Sequence, residues 1–183
     1  MIDRIARWRH VEGEGLQQVT LAPEGHGLDA TGVVVGADDE GAYAGWFHIC
    51  VDAGWYVTRF AVHHTAGKRL LLQADGPGRW TDERKQPVSE FDGCVDIDIS
   101  TTPFTNTLPI RRLPWHAGQS RELDMLYVPF DTLAPRRDRQ RYTCLEPGRR
   151  FRYEGLRTGF TAEITIDDDG LVVDYPGLFR LIR

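Results

Sequence analysis

The residues with the most chemistry to offer lie in one stretch, Phe91 to Leu113, which reads FDGCVDIDISTTPFTNTLPIRRL. Asp96 and Asp98 each present several acceptor sites, enough to take hydrogen bonds from sugar hydroxyls or to hold a hard cation. Asn106 adds an amide that donates and accepts, and Arg111 and Arg112 bring guanidinium forks whose geometry fits a carboxylate. Neighbours in an extended segment point to opposite faces, so only one of the two arginines can join a given pair of aspartates. An internal ion pair with Asp96 or Asp98 is the expected use of that arginine, in competition with a solvated outer face for the carboxylates. No third ligand accompanies the aspartates, so no metal site is assigned.

Trp46, Trp55 and Tyr56, with Phe47, Phe60, Trp80, Phe104 and Trp115, supply flat apolar faces that suit sugar rings and acyl chains as well as an ordinary core. His63 and His64 are adjacent and diverge on a strand, and neither His48 nor His116 is spaced to work with the carboxylates. No Ser or Cys occupies a GxSxG elbow, so no catalytic residue and no cofactor is assigned. Two carboxylates of one strand do not by themselves flank a scissile glycosidic bond. An enzyme acting on a sugar or lipid-linked sugar derivative through Asp96 and Asp98 is therefore the alternative to plain ligand binding.

The elements that must position these groups read as strands. Val95, Ile97 and Ile99 alternate with Asp96, Asp98 and Ser100, the period of a half-buried strand. Pro103, Pro109 and the run Thr105, Asn106, Thr107 predict a polar turn followed by a second extended piece carrying the arginines. Two short strands fit Trp8 to Ala22, and residues 31–35 and 42–51 form a hairpin with a loop over Gly36 to Gly41. Trp55 to His63 is rich in aromatic and β-branched residues, and Arg69 to Ala74 precedes a tight DGPGRW turn. Glu122 to Val128, Arg150 to Glu154, Phe160 to Ile166 and Leu171 to Tyr175 complete the set. Phe130 to Arg141, with Pro135 and the charged residues Arg136, Arg137, Asp138, Arg139 and Arg141, reads as an exposed connection whose basic run could meet lipid phosphates or an acidic partner surface. The expectation is an all-β fold with very little helix, closed or half-closed so that few strand edges remain open.

At 183 residues, 41% apolar and 27% charged, the chain has the composition of one soluble domain, residues 1–183. Its formal charge of −5 disfavours a nucleic-acid partner. Cys50, Cys94 and Cys144 are an odd, widely spaced set without a CxxC pair, expected as free thiols. The first residues lack the apolar core of a signal peptide, and no 18 apolar residues run together, so no transmembrane segment and a cytoplasmic location are expected.

GCVDIDIS followed by TPFTNTLPIRRL resembles the signature of the glycolipid-binding protein family of bacteria. AYAGWFHICVDAGWYVTR, DGPGRW, QRY at 140–142 and GLVVDYPGLFR resemble it in order and spacing, so that the likeness spans nearly the whole chain. It implies a spiral β-roll, a half-open barrel similar in shape to the LolA and LolB type of lipoprotein carrier, with an apolar cavity on its concave face. The function implied is non-catalytic binding of a small amphiphile, a glycolipid or other lipid-like molecule, with Asp96, Asp98, Asn106, Arg111, Arg112, Trp46, Trp55 and Tyr56 as the candidate ligand contacts.

Overall fold

The computed structural model describes residues 2–38 and 41–182. Seven strands leave the centre of the sheet in turn: β1 (Arg4–His10), β2 (Gly15–Glu24), β3 (Gly27–Asp38), β4 (Gly41–Val51), β5 (Val57–His64), β6 (Arg69–Ala74) and β7 (Trp80–Thr81). The chain then crosses to the opposite edge through a single 3-10 turn at Ser89–Phe91 and enters β8 (Asp96–Ile99) and helix α1 (Phe104–Arg112). It returns to the centre through β9 (Ser120–Val128), β10 (Arg136–Glu146), β11 (Arg150–Gly155), β12 (Phe160–Ile166), β13 (Val172–Tyr175) and β14 (Phe179–Ile182).

β14 pairs with β1, so the described strands form one continuous sheet from β7 to β8, antiparallel throughout except for the parallel pair β8/β9. The sheet is rolled but not closed into a barrel. Its two edge strands are tied by the crossover instead of by a ladder: Trp80 Nε1 donates to the Cys94 carbonyl at 2.8 Å and Gly93 N to the Gly78 carbonyl at 2.9 Å. The expected strand periodicity holds in β2, where Val19 and Leu21 are buried between exposed neighbours, and in β4, where Phe47 and Ile49 are buried between exposed or half-buried ones. The inward residues make one contiguous apolar core, in which Trp8 donates its indole N–H to the Val172 carbonyl at 2.6 Å.

Four local expectations are corrected. Residues 104–112 are helical, not extended, and Phe104 through Ile110 are buried on every side. Pro109 costs a helix interior about 3 kcal/mol, which burial of Phe104, Leu108 and Ile110 offsets at roughly 1.5–3 kcal/mol per large side chain. Pro114 then forces Leu113 into extended geometry (φ −100°, ψ 143°) and stops the helix. Arg136–Glu146 is a strand inside the sheet, not an exposed connection: Asp138, Gln140, Tyr142 and Cys144 point inward while Arg137, Arg139 and Arg141 pair outward with acids of neighbouring strands.

Trp55 and Tyr56 precede β5 instead of opening it. Asp52 Oδ1 accepts from the amides of Gly54 and Tyr56 at 2.8 and 3.0 Å, which folds the chain into a turn with Trp55 at φ 65°. Finally, β8 is covered on both faces, by the sheet core and by α1, so Asp96 is 1% exposed and the half-buried reading gives way. In the β3/β4 hairpin the ladder extends to Asp38 and Gly41, and Asp39 and Glu40 of the expected loop lie outside the described residues.

Candidate functional site

Helix α1 packs against β8 and β13 and is fastened by hydrogen bonds to the arm of the sheet that runs from β8 to β14. Thr107 Oγ1 donates to the Gly170 carbonyl at 3.0 Å, Asn106 Nδ2 to the Tyr142 hydroxyl at 2.8 Å, and Arg112 Nε to Asp96 Oδ1 at 3.1 Å, with a second Arg112 hydrogen bond to Asp96 Oδ2. The expected internal ion pair is thus present, between Arg112 and Asp96. Burial raises the Asp96 carboxyl and the guanidinium fork opposes that shift. Arg111 and Arg112 leave the helix in different directions, Arg111 over the Trp55 ring at 5.0 Å and Arg112 over the Tyr56 ring at 5.3 Å.

Beside the helix a cavity of about 310 Å³ opens on the concave face. Its floor carries Asp98 and Ser100 from the β8 end, Asn106 from α1 and Tyr127 from β9. Its wall is aromatic: Tyr153, Phe160, Tyr175 and Phe179 from β11 to β14 pack edge to face or tilted, with centroids 5.9–6.3 Å apart. At the mouth, Phe160 is 40% exposed and Leu178 36%, next to an ion pair in which Arg157 Nε meets Asp138 Oδ1 at 3.2 Å. Apolar faces and hydrogen-bonding groups therefore line it together, and the wall is not purely apolar.

Asp98 forms no ion pair among the described residues. Gln140 Nε2 donates to its Oδ2 at 2.6 Å and Thr105 Oγ1 to its Oδ1 at 3.2 Å. Burial, aided by the nearby charge of Asp138, pushes this carboxyl up, the two donors only partly opposing it. Tyr153 and Tyr175 are held above the ordinary phenol range by burial first and by the Asp98 charge in part, so their hydroxyls stay protonated. Neither hydroxyl has a hydrogen-bond partner among the described residues.

Of the eight residues singled out in the sequence, Asp98 and Asn106 reach this cavity. Asp96, Arg111, Arg112, Trp55 and Tyr56 form a separate ion-pair and cation–π cluster at the helix C-terminus, and Trp46 lies on the outer face, stacked on His63 at 4.0 Å. Missed were Tyr127, Asp138, Tyr153, Arg157, Phe160 and Tyr175. Tyr153 and Phe160 stood in visible alternations, but the same alternation describes a plain core.

The fold and the site together are a rolled all-β sheet with one cavity lined by both aromatic and polar side chains. The chain belongs to the family described as "Putative glycolipid-binding", whose model matches residues 5–181. It is also similar to a DUF1089 family protein from Pseudomonas aeruginosa known from a crystal structure, with 39% identity, a TM-score of 0.80, and 90% of this chain and 91% of that chain covered. No curated protein matches it.

Proposed function

We propose that the protein binds an amphiphile with a polyhydroxylated head, a glycolipid or a close analogue, without transforming it. One observation carries this reading: a single cavity joins an aromatic wall to a carboxyl, an amide and two unpartnered phenols. Aromatic faces take the apolar side of a sugar ring, while the convergent donors and acceptors take its hydroxyls. The family description supports the ligand class. A volume of about 310 Å³ suits a head group, with the tail led out past Phe160 and Leu178 at the mouth. Asp98 and Asn106 would read the head from the floor, whereas the cluster around Arg112 would hold α1 in place.

Three free thiols, Cys50, Cys94 and Cys144, support action in a reducing compartment such as a bacterial cytoplasm, as opposed to the exported setting of LolA-type carriers. Among the described residues no helix is long and apolar enough to cross a membrane. The cross-strand pairing of the arginine run speaks against a nucleic-acid partner, because Arg137, Arg139, Arg141 and Arg152 all face carboxylates.

Native mass spectrometry of freshly purified protein, followed by organic extraction, tests the reading. Retention or uptake of an intact glycolipid is the expected result. Turnover of a glycoside panel, with Asp98 and Asp138 as the two carboxylates in the cavity, would favour the enzyme alternative. Failure to take up any amphiphile would refute the proposal.

A further inference from the structure

On the outer face, away from the cavity, strands β3 and β4 bring together three side chains of different chemistry. Cys50 and Asp29 are cross-strand partners in the ladder, and His48 stands two residues before Cys50, so all three project from the same side of the sheet. Their ligand atoms lie within 4.8 Å of one another. His48 Nε2 is 3.0 Å from Asp29 Oδ2 and 3.7 Å from Cys50 Sγ. We propose that Asp29, His48 and Cys50 form a three-residue site for a divalent transition metal, of which zinc is the best fit, with the fourth position open to solvent.

The spacing supports this. Tetrahedral zinc with bonds of about 2.0–2.3 Å places its ligand atoms roughly 3.3–3.8 Å apart. The nitrogen-to-sulfur separation already has that length, and the nitrogen-to-oxygen separation needs only a small opening. A thiolate, an imidazole and a carboxylate are the donor types zinc accepts, and the thiolate weights the set against magnesium or calcium. A backbone ladder holds the ligands, so the site is built on rigid elements. The shallow hollow around it has a volume of about 440 Å³ and also contains Glu24, His26, Asp52 and Arg59. The carboxylates of Glu24 and Asp52 offset the charge of Arg59, and His26 stands close by at the β2/β3 turn.

The same three residue types also make a nucleophilic triad, and the geometry argues against that use. A triad histidine faces its nucleophile with one ring nitrogen and its carboxylate with the other. Here Nε2 is the nitrogen nearest both, at 3.0 Å from Asp29 and 3.7 Å from Cys50, as suits a common ligand sphere. Burial and the neighbouring Asp29 push the Cys50 thiol up to about 12, so without a metal it is a poor nucleophile at neutral pH. Metal binding would displace that proton, Cys–SH plus M²⁺ giving Cys–S–M⁺ and H⁺.

The test is titration of chelator-treated full-length protein with zinc, and separately with cobalt, whose tetrahedral thiolate complexes show visible d–d bands and a near-ultraviolet charge-transfer band. One equivalent per chain and a cobalt–thiolate spectrum are expected. Loss of an outer-sphere partner costs about 10–100-fold in metal affinity, so Cys50→Ser and His48→Gln should each weaken binding by at least about tenfold. Cys94→Ser, which alters a buried thiol elsewhere, should change nothing. Because His48 is partly exposed, His48→Gln serves if Cys50→Ser fails to fold, and a melting curve on each variant shows which have folded. The proposal is overturned if the wild type takes up no stoichiometric metal, or if folded His48→Gln binds as tightly as wild type.

Discussion

Arg112→Met tests the fastening of the helix directly. The substitution keeps much of the apolar stem but leaves Asp96, 1% exposed, without its fork. Removing one partner of a buried pair costs about 3–5 kcal/mol, since the stranded carboxylate keeps its desolvation penalty. For a chain of this size each kcal/mol moves the melting temperature by roughly 2–4 °C, so a drop of about 6–20 °C is expected near neutral pH. The sign of the pH dependence follows from burial. A carboxyl whose folded pKa lies above its unfolded value gives its full stability below the unfolded pKa and loses it as pH rises through the folded one. The Arg112→Met deficit should therefore be large at pH 8 and shrink towards pH 4. Adding Asp96→Leu removes the stranded charge and should restore most of the loss, because apolar replacement of a buried pair is often neutral. Urea unfolding at several pH values measures all three. A deficit under about 1 kcal/mol at pH 8, or a double variant no better than Arg112→Met, would refute the assignment of this pair as the anchor of α1.

Asp98→Asn should raise stability at pH 8 relative to wild type and leave it unchanged below pH ~3.9, because the raised carboxyl no longer has to ionise; a pH series of thermal melts checks this. In displacement of a fluorescent glycolipid, the same variant should reorder head-group preference, while Phe160→Ala should weaken all ligands by about 1 kcal/mol, near fivefold in Kd. Gly32→Ala should destabilise by roughly 1–3 kcal/mol in denaturant unfolding. A Cβ at Gly32 would fall 2.1 Å from Cζ of the buried Phe47, and a companion Phe47→Leu should recover part of the loss.

What could be read in the sequence depended on whether a segment has two unlike environments. Strands such as β2 and β12 face core on one side and water on the other, so their apolar residues alternate and the all-β architecture was legible. β10 broke the rule because its inward residues Asp138, which lines the cavity, and Gln140, which donates to Asp98, are polar like its outward arginines, and a strand polar on both faces imitates a loop. Helix α1 failed for the converse reason. Its residues from Phe104 to Ile110 are all buried, so no face differs from another and no helical period can appear, while its prolines argue for extended chain.

The site was half legible for related reasons. An internal ion pair of one arginine with Asp96 or Asp98 is the expectation on chemical grounds, and Arg112 makes it with Asp96, although from a helix and not from the extended segment assumed for it. Asp98 and Asn106 carried enough polarity in an apolar setting to stand out, and both line the cavity. Its aromatic wall was hidden, because Tyr153 and Tyr175 alternate as core residues would, and only the curl of the sheet decides whether an inward ring meets another side chain or open space. Asp29 and Cys50 illustrate the remaining gap. They are far apart in sequence and become neighbours only once β3 and β4 are in register, so no local motif could have joined them.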